Sequence, residues 1–207
     1  MERNYSSLHA VGFSVLKKIC LLCCVVLLAS CATHHNLDIT DDQVEGSGVI
    51  DHVSFIGRIA VANTEHSDSG SIEWQGDFLR QQIVLLSPIG TTVAEINHRP
   101  EQTQLSLSQE QTVVAQNVEE VTRRMLGYPL PLEGMPWWVI GQSWPSSPVN
   151  IVKDAAGRVS SLSQDNWLIT YGQWQKINNL WLPKSISLTQ EDIRIRIHVD
   201  KWHIVRH

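Results

Sequence analysis

A strict alternation of apolar and polar residues near the C-terminus constrains the fold of this chain more than any other feature. Apolar residues occupy every second position from Ile193 to Val199, and Arg194, Arg196 and His198 lie between them. A period of two residues places the two sets of side chains on opposite faces of a β-strand. The segment therefore predicts a strand in a sheet that has one buried face and one solvated face.

Similar β-forming segments recur along the chain, at residues 55–62, 72–74, 105–107, 112–115, 151–153, 159–162, 167–171 and 180–188. Short polar connections separate them, among which we predict turns at Ser67 to Gly70 and at Asp154 to Gly157. This pattern predicts an antiparallel meander of about ten or eleven strands. A sheet of that length tends to curl on itself.

A hairpin from Gln81 to Asn97 has an unusual tip, Ser87-Pro88-Ile89-Gly90. Pro88 presets φ for the second position of a tight turn, and Gly90 suits its last position. Ile89, a large apolar side chain, is thereby placed at an apex that should stand in water. Either Ile89 is an isolated surface hydrophobe or it folds back onto its own sheet, or an apolar partner contacts it.

The period changes in the middle of the chain. Asn117 precedes a helical stripe formed by Val118, Val121, Met125 and Leu126, and Gly127 can end the helix. A second segment, Glu133 to Ile140, is too apolar all round to face solvent as a helix. We therefore predict two or three helices, inserted between two runs of strands, which fill the concave face of the sheet only partly.

The N-terminus resembles that of bacterial lipoprotein precursors. Lys17 and Lys18 precede an apolar run from Ile19 to Ala29, which as a helix would rise about 16 Å, too short for a hydrocarbon core of about 30 Å. The run ends in Leu28-Ala29-Ser30-Cys31, the pattern of a lipobox, and the resemblance implies diacylation of Cys31 and cleavage before it. The remaining cysteines lie inside the signal, so the mature protein should have no disulfide.

These features divide the chain into three predicted parts: a signal peptide at 1–30, a lipidated flexible tether at 31–52, and one domain at 53–207. The tether is acidic and has no lysine or arginine. The whole chain has a formal charge of −5, and most of the excess lies in the tether. The body is nearly balanced, so nothing indicates a nucleic-acid partner.

No catalytic constellation is present in the sequence. It contains no nucleophile elbow, phosphate loop or dinucleotide fingerprint. His34 and His35 fall in the tether without an acidic ligand cluster, and His198 and His203 are interpreted as surface side chains. We therefore predict no enzyme activity, no cofactor and no metal, with an unrecognised hydrolase as the alternative.

Seven short segments are distributed over nearly all of residues 53–205. They are Gly57 to Ala60, Glu73 to Gln75, Leu85 to Thr92, Leu126 to Leu132, Trp138 to Gly141, Trp167 to Tyr171 and Val199 to Trp202. Taken together and in this order, they resemble the LolB family of outer-membrane lipoprotein receptors. The resemblance implies a mainly β fold: an unclosed, strongly curved antiparallel sheet, or half-barrel, whose short helical lid encloses an apolar cavity. The family has leucine at the hairpin tip, where Ile89 keeps the size and polarity.

The resemblance also implies a function without bond chemistry: an acceptor, anchored in the outer membrane through Cys31 and facing the periplasm. It would take triacylated lipoproteins from a LolA-like periplasmic carrier and insert them into outer membrane lipid, acting as a monomer. Pro88, Ile89 and Gly90 would form the membrane insertion loop. The predicted acyl-chain cavity comprises Trp74, Ile83, Leu85, Met125, Tyr128, Leu130, Trp137, Trp138 and Ile140. Two alternatives remain, a structural lipoprotein that binds no lipid and a lipid-processing enzyme.

Overall fold

The computed structural model describes residues 50–107, 112–177 and 179–206. The predicted signal peptide, Cys31 and nearly all of the predicted tether lie outside the described residues. The first strand begins at Ile50, three residues before the predicted start of the domain. Within the described part, no helix is long and apolar enough to cross a membrane.

Eleven strands and two helices make up this part of the chain. The strands are β1 (Ile50–Ala62), β2 (Ser67–Gly76), β3 (Gln81–Leu86), β4 (Thr92–Arg99), β5 (Gln102–Leu107), β6 (Thr112–Ala115), β7 (Asn150–Lys153), β8 (Val159–Gln164), β9 (Trp167–Ile177), β10 (Leu180–Gln190) and β11 (Ile193–Arg206). The helices are α1 (Val118–Leu126) and α2 (Met135–Trp138), both between β6 and β7. The predicted count of strands and the mid-chain position of the helices are confirmed.

All eleven strands form one antiparallel sheet in the order β6-β5-β4-β3-β2-β1-β11-β10-β9-β8-β7. The first and last strands pair in its middle, where Phe55 faces Trp202. β6 and β7 are its two edges and do not pair with each other. The predicted unclosed sheet is therefore confirmed, and the helical segment connects its two open edges.

The core lies on the inner face of the sheet. Phe55, Ile96 and Ile195 are fully buried there, and inner side chains of the strands share one cluster with apolar residues of the helical segment. On β11, Arg194 and Arg196 are exposed between buried isoleucines, as the alternation predicts. Burial of the inner face against the helical segment is the main source of stability in such an arrangement.

The predicted turn at Ser67 to Gly70 is wrong, because these residues belong to β2 and pair with β1 from Ala62 back to Ile59. The actual turn lies at residues 63–66, where the Asn63 side chain accepts hydrogen bonds from the backbone N–H groups of Glu65 (2.9 Å) and His66 (2.7 Å). Gly70 is needed inside the strand, since a Cβ there would lie 2.0 Å from the Leu86 carbonyl oxygen. Polar composition alone misplaced the turn because ladder pairing extends the strand.

The caps of α1 are confirmed. The Asn117 side chain accepts a hydrogen bond from the Glu120 N–H at 3.0 Å, and Gly127 has φ 86° and donates its N–H to the Arg123 carbonyl at 3.0 Å. Thr122 is also buried, outside the predicted apolar stripe. Its hydroxyl accepts a hydrogen bond from the Leu130 N–H at 2.9 Å, which fixes the chain that follows the helix.

Candidate functional site

The segment around α2 is fastened to both halves of the sheet by buried hydrogen bonds. The Trp138 indole N–H donates to the Gln164 side-chain carbonyl at 2.8 Å, and the Tyr171 hydroxyl donates to the Trp138 carbonyl at 2.8 Å. On the other half, the Gln81 amide donates to the Leu132 carbonyl at 3.1 Å. These bonds satisfy polar groups that would otherwise be costly to bury, so this part of the helical segment is held firmly against the sheet.

Gln164 is the centre of this attachment. It is 3% exposed, and its side-chain oxygen also accepts from the Trp144 N–H at 2.9 Å. Its amide donates to the carbonyls of Trp144 (2.7 Å) and Ser147 (2.8 Å). One side chain on β8 thus positions both α2 and the loop that leads to β7.

Replacement of Gln164 by leucine should lower the free energy of unfolding by roughly 2–4 kcal/mol, because it leaves the buried Trp138 indole N–H without a partner and removes the hydrogen bonds to the partly buried carbonyls of Trp144 and Ser147. Urea unfolding followed by tryptophan fluorescence would measure the change. Gln173→Leu, an exposed position on β9, is the matched control and should stay within about 0.5 kcal/mol of wild type. Equal stability of the two variants would contradict the anchoring role of Gln164.

A cavity of about 560 Å³ remains where the helical segment does not fill the concave face. It lies between the C-terminal half of α1 and the β1 to β5 part of the sheet, beside the hairpin between β3 and β4. Its lining is formed by Ile59, Val61, Asp68, Ser69, Gly70, Leu85, Leu86, Ser87, Pro88, Val93, Leu107, Met125, Leu126 and Tyr128. Most of these side chains are aliphatic, which suits an apolar guest.

The ionisable side chains in the lining of the cavity are Asp68 and Tyr128. Burial and the nearby charge of Asp68 raise the pKa of the Tyr128 phenol, so it stays neutral at physiological pH. No cluster of three or more His, Cys, Asp or Glu side chains that could hold a metal ion occurs in the described residues. The arrangement can hold an apolar chain, with a carboxylate and a phenol at its rim.

The nine residues predicted for the cavity fall into three groups. Leu85, Met125 and Tyr128 line it. Trp137 is half-buried and stacks on Phe78, with ring centroids 3.9 Å apart. The remaining five are at most 4% exposed within the core, namely Trp74, Ile83, Leu130, Trp138 and Ile140. An acyl-binding role for any of the nine stays a prediction, and the five core residues would reach a guest only if the helical segment moved.

Several lining residues were not predicted for the cavity. Val61 and Leu107 sit on the inner face, where the period of two could have placed them, and Leu126 belongs to the predicted helical stripe. The sequence pattern predicts the direction in which these side chains point, but it does not predict that the space beside them is unfilled. That gap depends on where α1 stops covering the sheet.

The hairpin tip is placed at the rim of this cavity. A turn closes it, with hydrogen bonds from the Gly90 N–H to the Ser87 carbonyl (2.9 Å) and from the Ser87 N–H to the Thr91 carbonyl (2.8 Å). Gly90 adopts φ 84°, which glycine tolerates best. Ile89 is 89% exposed, so it does not fold back onto the sheet, and Pro88 next to it lines the cavity.

Comparison with known proteins gives a consistent result. A family model described as "Outer membrane lipoprotein LolB" matches residues 51–202. The outer-membrane lipoprotein LolB of Shewanella loihica is 26% identical to this chain, covering 92% of it and 89% of that protein. The protein of the same name from Nitrosomonas europaea is 34% identical, covering 70% of each chain.

Solved structures share the fold at low sequence identity. A DUF1329 family protein from Desulfovibrio piger superposes with a TM-score of 0.53 at 7% identity, over 75% of this chain and 86% of that one. A LolA superfamily protein from Nitrosomonas europaea superposes with a TM-score of 0.50 at 8% identity, over 76% and 87%. At such identities the likeness concerns the fold alone, an unclosed antiparallel sheet with short helices.

Proposed function

The chain belongs to the family of the outer membrane lipoprotein LolB, and we propose that it accepts lipoproteins from a periplasmic carrier and delivers them into the outer membrane. The observation that carries the proposal is the placement of an apolar cavity beside an exposed apolar hairpin tip, Ile89. A guest chain leaving the cavity at this rim would meet whatever surface the tip contacts. If that surface is a bilayer, the chain passes from one apolar environment to another.

The size of the cavity suggests how much of a lipid it holds. A methylene group occupies roughly the volume of a water molecule, about 30 Å³, so about 560 Å³ accommodates one acyl chain of ordinary length. Sheltering a chain from water is worth about 0.8 kcal/mol per methylene. One bound acyl chain therefore stabilises the complex substantially. The other acyl chains of a triacylated cargo would need either a movement of the helical segment or a second apolar surface.

The direction of transfer would follow from relative affinities. No nucleotide-binding motif is present in the sequence, so the drive would come from a gradient of apolar environments that ends in the membrane. The named relatives are outer-membrane lipoproteins, and Cys31 with the tether would hold the domain at the same membrane. Transfer of this kind makes and breaks no covalent bond.

An open cavity also bears on the two alternatives. A purely structural lipoprotein is expected to pack its interior closely, whereas here about 560 Å³ is left lined mostly by aliphatic groups. A lipid-processing enzyme would need a titratable cluster facing the cavity, and Asp68 and Tyr128 do not supply a nucleophile with an adjacent base. Mass analysis of cargo recovered after incubation would detect any processing and would then contradict simple transfer.

The proposal is tested by removing the lipid anchor from the domain that accepts the cargo. A mature chain carrying Cys31→Ala should still take a triacylated lipoprotein from its purified carrier with little change in affinity, because the described lining of the cavity comes from residues 59–128 of the domain. Membrane targeting of that cargo should become inefficient, since a free acceptor is not confined to one membrane. Complexes can be followed by co-purification and delivery by flotation with outer-membrane vesicles. A folded Cys31→Ala chain that accepts no cargo would place the lipid inside the binding site and overturn the proposal.

A further inference from the structure

A second cavity, of about 630 Å³, lies on the outer face of the sheet, opposite the core. Its floor is built from small outward-facing residues of β1, β2, β9 and β10, including Ala60, Ser69, Ser71, Gly172, Ser185 and Ser187. Its rim carries Arg58, Arg196 and His198. We call this depression the outer groove. The solvated face of a sheet usually carries long polar side chains. Because the side chains here are small, space for a ligand remains beneath the two arginines.

The strand register sets the arginines directly beside the small residues. Arg196 faces Ala60 on β1 and Ser187 on β10, and Arg58 faces Ser71 on β2. No acidic side chain occupies those paired positions. Each guanidinium can therefore lean over a floor that offers hydroxyl groups, which places charged and neutral hydrogen-bond donors around one concave space.

The charges at the rim are only partly neutralised. The Arg58 guanidinium bonds to the Asp200 carboxylate at 3.1 Å, and the His198 imidazole lies 3.7 Å from the same carboxylate. Within the described residues, the side chain of Arg196 makes neither an ion pair nor a hydrogen bond. An exposed guanidinium with hydroxyl donors nearby suits phosphate oxygens, because its planar fork can donate two parallel hydrogen bonds.

The position of the outer groove indicates where such a phosphate would come from. Pro88 of the hairpin lines the groove as well as the inner cavity, so the groove begins at the turn that carries Ile89. If the tip enters the boundary between headgroups and acyl chains, the groove lies next to it on the aqueous side, where lipid phosphates are. The charge and position of this surface both fit an anionic membrane.

We propose that the outer groove binds the phosphate of an anionic phospholipid headgroup, through Arg196 and Arg58, when the hairpin docks on the membrane. The location of the groove uses the membrane contact proposed for Ile89, but the ligand and the residues are new. The contact would orient the domain so that the inner cavity opens toward the bilayer. In this arrangement the cationic rim orients the domain on the membrane, and the apolar tip inserts into it.

The test compares vesicles of phosphatidylcholine with vesicles that also contain phosphatidylglycerol. The mature chain with Cys31→Ala is used, so that sedimentation with vesicles reports on the domain and not on its anchor. The chain that keeps both arginines should bind the anionic vesicles clearly more tightly than the phosphatidylcholine vesicles. The double variant Arg58→Gln, Arg196→Gln should lose about 30-fold in affinity for them, since each cation near an anionic surface contributes about fivefold.

A matched control removes the same charge elsewhere. Arg99 ends β4 and Lys176 lies near the end of β9, both at the end of their strands that is opposite the hairpin tip. The double variant Arg99→Gln, Lys176→Gln should keep the preference to within about twofold. An equal loss in both double variants would mean that only the net charge matters, and it would overturn the outer groove as a site.

A variant that blocks the groove separates a pocket from a diffuse basic patch. Ser187→Leu puts bulk on the floor beside Arg196 without changing charge, and it should reduce the preference at least tenfold while circular dichroism stays unchanged. Unaltered binding by Ser187→Leu would overturn the proposal. So would binding of soluble glycerol phosphate as tight as that of vesicles, which would assign the groove to a free phosphate.

Two further outcomes distinguish this inference from the proposed function. Ile89→Gln should weaken binding to both kinds of vesicle and keep their ratio, because it removes apolar bulk from the tip without adding a charge. If the arginine variant binds vesicles normally but no longer accepts cargo from the carrier, the outer face serves an acidic protein partner and the lipid assignment is wrong. Failure of acyl-chain transfer in wild-type protein would contradict the proposed function while leaving the vesicle preference intact.

Discussion

Replacement of Ile89 by glutamate is expected to leave the fold and cargo acceptance intact and to reduce delivery into membranes at least tenfold. The side chain is 89% exposed on its turn, so the substitution breaks no packing. Burying an isoleucine in an apolar environment is worth roughly 1.5–3 kcal/mol, and a carboxylate resists entry into it. Transfer of a labelled lipoprotein from the loaded protein to liposomes would measure the effect.

Two controls sharpen this prediction. Ile89→Leu should transfer at nearly the normal rate, because the required property is apolar bulk. Leu79 is 64% exposed in the turn between β2 and β3, at the other end of the sheet, and Leu79→Glu should also be close to wild type. Normal delivery by Ile89→Glu would show that the exposed isoleucine is a surface accident and that the membrane step lies elsewhere.

Replacement of Met125 by aspartate should reduce uptake of acyl chains at least 100-fold. Met125 is half-buried on α1 and lines the inner cavity, so the introduced carboxylate would face the guest without a partner. Burying such a charge costs several kcal/mol, and each 1.4 kcal/mol is about tenfold in affinity. Displacement of a hydrophobic fluorophore from the cavity would measure the loss.

The same variant gives a pH signature. An apolar site raises the pKa of a carboxyl group because burial penalises its charged form, and protonation removes that charge. Binding by Met125→Asp should therefore recover as the pH falls, whereas wild-type binding should change little over the same range. Val114→Asp, at a 57% exposed position on β6, is the control and should bind normally at all pH values. A pH-independent loss in Met125→Asp would point to a damaged fold.

Trp138 would be a poor choice for the same experiment. Its side chain is 1% exposed, and its indole N–H donates to Gln164 at 2.8 Å, so a charge there would disrupt the core as well as any binding site. From the sequence alone, this tryptophan could equally line a cavity or belong to the core. The distinction between the two depended on where the helical segment packs.

The sequence by itself determined the local architecture. Alternation along Ile193 to Val199 fixed which side chains of β11 face the core, Asn117 and Gly127 fixed the ends of α1, and Pro88 with Gly90 fixed the hairpin turn that has Ile89 at its apex. Each of these features depends on backbone geometry and on residues close in the chain. Local chemistry is sufficient for them, and the structure confirms them.

Only the tertiary structure decided which apolar residues enclose empty space. Met125 and Trp138 both carry apolar side chains from the helical insert, yet Met125 lines the cavity while Trp138 is buried against β8 and β9. The outer groove likewise required five strands in register to bring Arg58 and Arg196 around one serine-rich floor. A gap exists only between elements that are distant in the chain, so no local pattern encodes its position.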